Sequence, residues 1–282
     1  MAATHDWSRK AILIIVDALR DDAGRLNLGY IEGLIEQGQA ARFHVRCVLP
    51  STSRPCYEAI VTGTYPHENG ITCNDIVRRS TMRSLFDLVH GAGGSSAVVG
   101  YYFFSELYCE APYDVALHCE REAPGEPVAH GRFYQDGNFP DAHGICQAEY
   151  LRARYAPELI LLHLNWPDTA GHNAGADSRE YATAILTIDA WISRYIRTWL
   201  DDRYTIFITG DHGTNARGYH GGADLELRAV PLYIVGSRAF ESGRHEVVLE
   251  QPVLAAMVCK ELDLEPAPTM HRYRAESTPA VQ

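Results

Sequence analysis

The sequence predicts an α/β protein with a central, mostly parallel sheet covered by helices on both faces. Short apolar runs recur along the chain, and segments with helical spacing lie between them. Apolar runs of five or six residues are typical of strands buried on both faces, and strands that alternate with helices form parallel sheets. A chain of 282 residues is long enough to bury its own core, and we predict a single domain over 1–282.

The elements follow in order along the chain. Apolar runs predict strands at 11–17, 96–101, 159–165, 204–211 and 230–236. Helical spacing predicts helices at 29–38, 55–62, 81–92, 178–200 and 250–262. The segment at about 102–150 has no clear period and is rich in Tyr, Phe, Pro and Gly. We therefore expect it to be an irregular, cap-like insertion over one edge of the sheet.

Composition narrows the class of function. Lys and Arg total 25 against 36 Asp and Glu, and the formal net charge of −11 disfavours nucleic acid polymers and anionic lipid as partners. No apolar run approaches the roughly 18 to 20 residues that cross a bilayer, so we expect no membrane partner. Seven cysteines without a CxxC pair predict reduced thiols and a cytoplasmic location. The first apolar run, 11–16, ends in a carboxylate and is interpreted as a strand rather than a signal peptide.

Acidic and imidazole side chains follow three of the predicted strands, where the loops of a parallel sheet converge on a ligand. They are three aspartates and three histidines: Asp17, Asp168, His172, Asp211, His212 and His220. Carboxylate oxygens and imidazole nitrogens are natural ligands of zinc and similar ions. Asp168 and His172, with glycines nearby that permit a tight turn, are equally well explained as a helix cap and a surface histidine. Six such residues, however, suffice for two ions with three protein ligands each.

A two-ion site that acts on phosphorus needs a nucleophile, and Ser53 is the candidate. It lies at a predicted junction of loop and helix, where Pro55 suits the first turn and the helix N-terminus favours an anion. Serine is also a common helix N-cap, so this position alone does not identify a nucleophile.

The segment LPSTSRPCYEAIVTGTYPHENGITCN, together with PDTAGHNAG, GDHG and YHGG, carries a family resemblance. It resembles the alkaline phosphatase superfamily, most closely the branch of nucleotide pyrophosphatases/phosphodiesterases and phosphonoacetate hydrolases. The matching motifs occur in family order between residues 11 and 222. The resemblance implies an alkaline phosphatase-like three-layer sandwich. It also implies that Ser53 is a metal-bound nucleophile and that Asn74 binds a non-bridging phosphoryl oxygen.

The resemblance further implies two divalent metal ions, zinc in the first place, with manganese as an alternative. One ion would be bound by Asp168, His172 and His220. The other would be bound by Asp17, Asp211 and His212. The implied activity is hydrolysis of small-molecule phosphate or phosphonate esters through a phosphoseryl intermediate, and we predict a phosphodiesterase or nucleotide pyrophosphatase.

Alternative functions stay open. A phosphomonoesterase or a C–P hydrolase like phosphonoacetate hydrolase would share these motifs, whereas a sulfatase would need an arginine where Tyr57 stands. A silent binding module would not need the full ligand set. Lysine occurs only at positions 10 and 260, so the lysine clamp of some monoesterases is absent unless Arg54, Arg78 or Arg79 replaces it. The aromatic residues near 101–134 are candidates for stacking on substrate, although core packing explains them as well.

Overall fold

A nine-stranded sheet runs through the part of the chain that the computed structural model describes, residues 5–273. Residues 1–4 and 274–282, which the single-domain prediction includes, lie outside the described residues. The strands are β1 (Lys10–Val16), β2 (Ala40–Arg46), β3 (Ser96–Tyr101), β4 (Glu120–Glu122), β5 (His130–Tyr134), β6 (Leu159–Leu164), β7 (Tyr204–Gly210), β8 (Ala229–Val235) and β9 (Gly243–Glu250). Their spatial order is β4-β5-β3-β6-β1-β7-β8-β2-β9.

The middle of the sheet is parallel. β1 pairs with β6 on one side and β7 on the other, and β3 pairs in parallel with β5 and β6. β8 runs antiparallel to both β7 and β2, and β4 runs antiparallel to β5. The carboxyl ends of β1, β6 and β7 therefore meet at one edge, which is where loops of such sheets bind ligands.

Helices cover both faces of the sheet. They are α1 (Asp21–Asn27), α2 (Gly29–Glu36), α3 (Ser53–Thr62), α4 (Pro66–Asn69), α5 (Leu85–Gly91), α6 (Phe103–Tyr108), α7 (Val115–His118), α8 (Asp141–Tyr155), α9 (Trp166–Ala174), α10 (Arg179–Asp201), α11 (Leu225–Arg228) and α12 (Val253–Glu261). Side chains of a strand alternate between its two faces. Leu13 of β1 accordingly packs in the cluster that includes α3, α5 and α12, and Ile14 packs in the cluster that includes α2, α8 and α10. The predicted three-layer α/β fold is confirmed.

The segment at about 102–150 differs from the irregular insertion that the sequence predicts. It contains α6, α7, β4, β5 and α8, and β5 extends the parallel sheet beside β3. The buried apolar side chains of α8 are few, at Ile145, Ala148 and Leu151, which is too sparse for a clear helical period. Its role as a cap and the single-domain assignment stay predictions. Within residues 5–273, every helix is too short or too polar to span a membrane.

Candidate metal centre

Strand register places two of the predicted ligands side by side at the carboxyl edge of the sheet. Val16 pairs with Leu164 in β6 and with Gly210 in β7, so the next residues, Asp17 and Asp211, emerge side by side. Asp168 and His172 follow β6 on helix α9, not on the tight turn that the glycines suggest. Because residues four apart lie on the same helical face, His172 Nε2 comes within 3.4 Å of Asp168 Oδ1.

The outer cluster consists of Asp168, His172 and His220, whose ligand atoms all lie within 4.8 Å of one another. His220 Nε2 is 3.2 Å from His172 Nε2 and 3.8 Å from Asp168 Oδ1. The other ring nitrogen of His220 lies 3.3 Å from the Ser51 carbonyl oxygen, which directs Nε2 toward the cluster. The structure therefore gathers the three residues that the resemblance assigns to one ion.

Glycines allow the two halves of the outer cluster to meet. A Cβ atom on Gly175, which ends α9, would overlap the carbonyl of Ala216. A Cβ atom on Gly218 would likewise overlap the carbonyl of Gly171. Both glycines also have positive φ, 84° and 77°. The loop that carries His220 thus packs backbone to backbone against α9.

The inner cluster consists of Asp17, Asp211 and His212, and all three side chains are at most 2% exposed. His212 Nε2 lies 3.5 Å from Asp17 Oδ1 and 3.3 Å from Asp211 Oδ2. His212 Nδ1 lies 3.1 Å from the Gly213 carbonyl oxygen, and Asp211 Oδ1 accepts a hydrogen bond from the Ala18 amide. His212 Nε2 and Asp211 Oδ2 are thus the atoms of these two side chains that face the cluster.

The two clusters adjoin. Asp17, Asp168 and His212 also form a group with ligand atoms within 4.8 Å, and the rings of His212 and His220 stack with centroids 4.0 Å apart. Asp168 therefore lies within reach of both clusters. The division of the six ligands between two ions stays a prediction.

Three carboxylate oxygens at the clusters fit bound cations. Asp17 Oδ1, Asp168 Oδ1 and Asp211 Oδ2 are buried, and none has a hydrogen-bond partner among residues 5–273. Buried polar atoms without partners are costly and rare in native proteins. Carboxylate and imidazole donors are the set that zinc prefers, so the residues present fit two divalent ions.

The pKa shifts in the clusters also fit bound cations. Burial, together with the charge of Asp17, raises the pKa of both Asp168 and Asp211 well above the usual range. Burial would also raise the pKa of Asp17, but its hydrogen bond with His163 and the proximity of His212 lower it. Burial and nearby His220 lower the pKa of His212 to about 3, so this imidazole is neutral at pH 7. A cation would relieve the repulsion among the carboxylates and bind the neutral imidazole.

Ser53 lies at the start of α3, and the side chain of Asn74 contacts the same turn. Thr52 is the N-cap residue and Ser53 the first helical residue, and Ser53 Oγ lies 3.3 Å from His212 Nε2. The Arg54 amide donates to Asn74 Oδ1 at 2.9 Å. Because that oxygen is engaged, the Nδ2 group of Asn74 is the donor that remains for a ligand. The structure thus brings the candidate nucleophile to the inner cluster, with an amide donor near it.

Two of the three candidate arginines are engaged elsewhere. The Arg54 guanidinium is 1% exposed, pairs with Glu106 and lies 3.9 Å from the centroid of the Phe103 ring. Arg78 donates to the backbone carbonyls of Asn69 and Arg79. The Arg54 guanidinium is therefore held against a helix of the 102–150 segment.

The aromatic residues of the segment divide into two groups. Most are buried in the core, namely Phe103, Phe104, Tyr108, Phe133 and Tyr134. Tyr101 and Tyr102 at the end of β3 are partly exposed, with ring centroids 4.6 Å apart. Burial and the adjacent Tyr102 raise the pKa of Tyr101 to about 12, and the charges of Asp17 and Asp168 contribute. Tyr101 also packs near Tyr134, with ring centroids 5.8 Å apart.

Sequence reasoning missed residues that surround Asp17. Tyr57 donates a hydrogen bond to Asp17 Oδ2, and His163 Nε2 lies 3.1 Å from the same oxygen. The available signal was a polar residue inside the otherwise apolar strand LILLHL, and that pattern alone also suits an ordinary core histidine.

A mostly parallel sheet with this double cluster of aspartate and histidine at its carboxyl edge, and a serine at a helix start beside it, defines a member of the alkaline phosphatase superfamily. The model of the family described as type I phosphodiesterase / nucleotide pyrophosphatase matches residues 11–222. The chain belongs to this family.

Individual relatives are distant. The catalytic subunit of human GPI ethanolamine phosphate transferase 2 is 24% identical over 280 residues, covering 90% of this chain and 26% of that protein. Human ectonucleotide pyrophosphatase/phosphodiesterase family member 7 is 21% identical over 321 residues, covering 96% and 62%. The chain thus spans about a quarter of the length of the first relative.

A solved structure supports the fold. Murine ectonucleotide pyrophosphatase/phosphodiesterase 5, solved as an inactive variant in complex with AMP, superposes with a TM-score of 0.71 at 13% identity. The match covers 93% of this chain and 96% of that one. At this identity the likeness establishes the shared architecture.

Proposed function

We propose that this protein is a two-metal phosphodiesterase or nucleotide pyrophosphatase that hydrolyses small-molecule phosphate esters, with Ser53 as its nucleophile. The observation that carries the proposal is the 3.3 Å separation between Ser53 Oγ and His212 Nε2, at the start of a helix and beside unpartnered carboxylates. Zinc suits this donor set, and manganese is the alternative.

Two bound cations would neutralise the phosphoryl oxygens and lower the pKa of the Ser53 hydroxyl. Ser53 Oγ then forms a bond to phosphorus, and the leaving-group oxygen departs with the electrons of its P–O bond. Asn74 Nδ2 donates to a non-bridging oxygen, and the N-terminus of α3 favours the negative charge of the phosphoryl group. Water cleaves the resulting phosphoserine and restores the Ser53 hydroxyl.

The polar groups near Ser53 favour a diester over a monoester. A monoester dianion has three non-bridging oxygens and usually requires Lys or Arg in addition to the metal ions, whereas a diester carries one charge. Arg54 and Arg78 are bound to Glu106 and to backbone carbonyls. The neutral Asn74 is the side-chain donor that lies at the first turn of α3, and it suits the lower charge of a diester.

A substrate comparison tests this proposal on the zinc-loaded protein. We expect a higher kcat/KM for methyl p-nitrophenyl phosphate and for a nucleotidyl p-nitrophenyl ester than for p-nitrophenyl phosphate. Arg78→Ala, which removes an arginine that donates to backbone, should keep that preference. Preference for the monoester that disappears in Arg78→Ala would show an arginine clamp and contradict the assignment. Release of phosphate from phosphonoacetate would instead support the C–P hydrolase alternative.

The similarity to ethanolamine phosphate transferases favours a second candidate, transfer of the phosphoryl group to an alcohol in place of water. Both reactions pass through the same phosphoserine, and only the acceptor differs. ³¹P NMR of the reaction with added glycerol would distinguish them, since transfer yields a new glycerol phosphodiester and hydrolysis yields the monoester.

A further inference from the structure

Three buried side chains outside the metal-binding motifs surround Asp17: Tyr57 of α3, Tyr134 of β5 and His163 of β6. Tyr57 donates to Asp17 Oδ2, and His163 Nε2 lies 3.1 Å from that oxygen and 2.7 Å from the Tyr57 hydroxyl. On the opposite side of the ring, His163 Nδ1 lies 2.7 Å from the Tyr134 hydroxyl. Tyr57 and His163 are at most 1% exposed, and Tyr134 is 7% exposed.

The supply of hydrogens sets the direction of these bonds. Tyr57 has one hydroxyl hydrogen and gives it to Asp17, so its oxygen can accept a hydrogen bond from His163 Nε2–H. On the other side of the ring, the Tyr134 hydroxyl lies 2.7 Å from His163 Nδ1 and 3.1 Å from the His163 carbonyl oxygen. The chain Tyr134–His163–Tyr57–Asp17 therefore satisfies each of its hydroxyl and ring groups.

The arrangement divides the two oxygens of Asp17 between different tasks. Oδ2 accepts from Tyr57 and faces His163, whereas Oδ1 has no partner within residues 5–273 and lies 3.5 Å from His212 Nε2. Polar side chains are costly to bury, and packing alone would be met by apolar ones. A role in orienting the carboxylate accounts for their presence.

We propose that Tyr57, His163 and Tyr134 are positioning residues that hold Asp17 so that it presents Oδ1 alone to a cation of the inner cluster. The inference rests on the proposed two-metal function. Tyr57 follows Ser53 by one helical turn, so the same hydroxyl also ties the nucleophile's helix to the metal ligand. The network thereby fixes the nucleophile's helix relative to Asp17.

Metal affinity tests the network directly. In Tyr57→Phe and in His163→Ala we expect zinc affinity at one site to fall about 10- to 100-fold, the range typical when the hydrogen-bond partners of metal ligands are removed. The second site should keep the wild-type affinity. Zinc bound at chelator-buffered free concentrations, counted by atomic emission on the full chain, gives the readout. Tyr134→Phe should show a smaller loss in the same direction, and His163→Gln, which retains an amide donor, should recover part of it.

Tyr108→Phe is the matched control, because it removes a buried tyrosine hydroxyl that donates to Glu58 at 2.8 Å, away from the clusters. It should keep both zinc affinities. Two sites of unchanged affinity in folded Tyr57→Phe and His163→Ala would overturn the network and leave the proposed function intact. Equal losses in Tyr57→Phe and Tyr108→Phe would overturn it too, because they indicate a general effect of destabilisation. Wild-type protein that binds no zinc would instead refute the proposed function itself.

Discussion

The inner and outer clusters contain the same kinds of side chain but differ in how they are held. The inner cluster lies at the ends of β1 and β7, where its aspartates and histidine are almost fully buried. In the outer cluster the side chain of His172 is 47% exposed, and Asp168 and His220 are 17% and 13% exposed. One set is fixed by strand ladders, and the other by a helix and a loop.

Ions bound at the two clusters would therefore differ in their surroundings. Strand register positions Asp17 and Asp211 before any ion binds, and burial concentrates their charge in a medium of low polarity. In the outer cluster, the half-exposed His172 faces water and can adjust. We therefore expect the inner cluster to bind its ion more tightly and the outer cluster to exchange its ion and admit substrate.

The largest expected effect is on kcat, in a variant that lacks the nucleophile but keeps both clusters. Ser53→Ala removes one oxygen and no metal ligand side chain of either cluster. We expect kcat to fall roughly 10³-fold or more, as for other catalytic serines, with zinc content and melting temperature close to the wild type. Activity above a few per cent of wild type would assign the role to Thr52 or to water instead.

The next prediction compares Asp211→Asn in the inner cluster with His172→Ala in the outer one. Each should lose one zinc ion and most activity. Without metal, however, Asp211→Asn relieves carboxylate repulsion and keeps an oxygen for the Ala18 amide, so its free energy of unfolding should rise by roughly 1 to 3 kcal/mol. His172→Ala should leave it unchanged. Equal unfolding energies for metal-free Asp211→Asn and wild type in urea titrations would contradict the contrast.

Stepwise chelation probes the clusters in the wild-type protein. Dialysis against increasing chelator should release the outer ion first, with loss of activity, and the inner ion only at higher chelator concentration. Added zinc should restore activity. Release of both ions in a single step would contradict the predicted difference in zinc affinity between the two clusters. Full activity after exhaustive dialysis would refute a metal-dependent site.

The smallest effect concerns the support of the outer cluster. Asp141 accepts hydrogen bonds from the Asn165 and Trp166 amides at the start of α9, and burial raises its pKa to about 7 from 3.8. The folded state holds the Asp141 proton more tightly than the unfolded state does. Protonated Asp141 therefore stabilises the fold at low pH, and this stabilisation is lost as pH rises toward 7. The unfolding energy of metal-free wild type relative to Asp141→Asn should fall by at most about 1.4 kcal/mol per pH unit between pH 5 and 7, then level off. A difference independent of pH would contradict this.

Much of the fold follows from local pattern. The apolar runs of β1, β6 and β7 are continuous because both faces are buried, and each ends at a polar residue, so the positions of Asp17 and Asp211 could be predicted. β2 was missed although Phe43 and Val45 alternate with polar residues, a period that suits a strand. The cytoplasmic location and the absence of nucleic acid and membrane partners stay predictions.

The support around Asp17 could not be predicted. Tyr57 and His163 are 106 residues apart, and their contact depends on α3 packing against the end of β6. A single sequence has no periodic signal for such a pair, because each residue alone suits a core position. The family motifs identify the atoms that would bind metal, whereas the groups that orient those atoms become visible only in three dimensions.

The glycine contacts between α9 and the His220 loop constrain how this chain can diversify. Gly175 and Gly218 each abut a carbonyl of the other segment, so a side chain at either position forces both segments to move. An insertion between His212 and His220 would disturb the same backbone contacts. Residues 223–225 are exposed and lie beyond these contacts. Added length should therefore be tolerated there better than between His212 and His220.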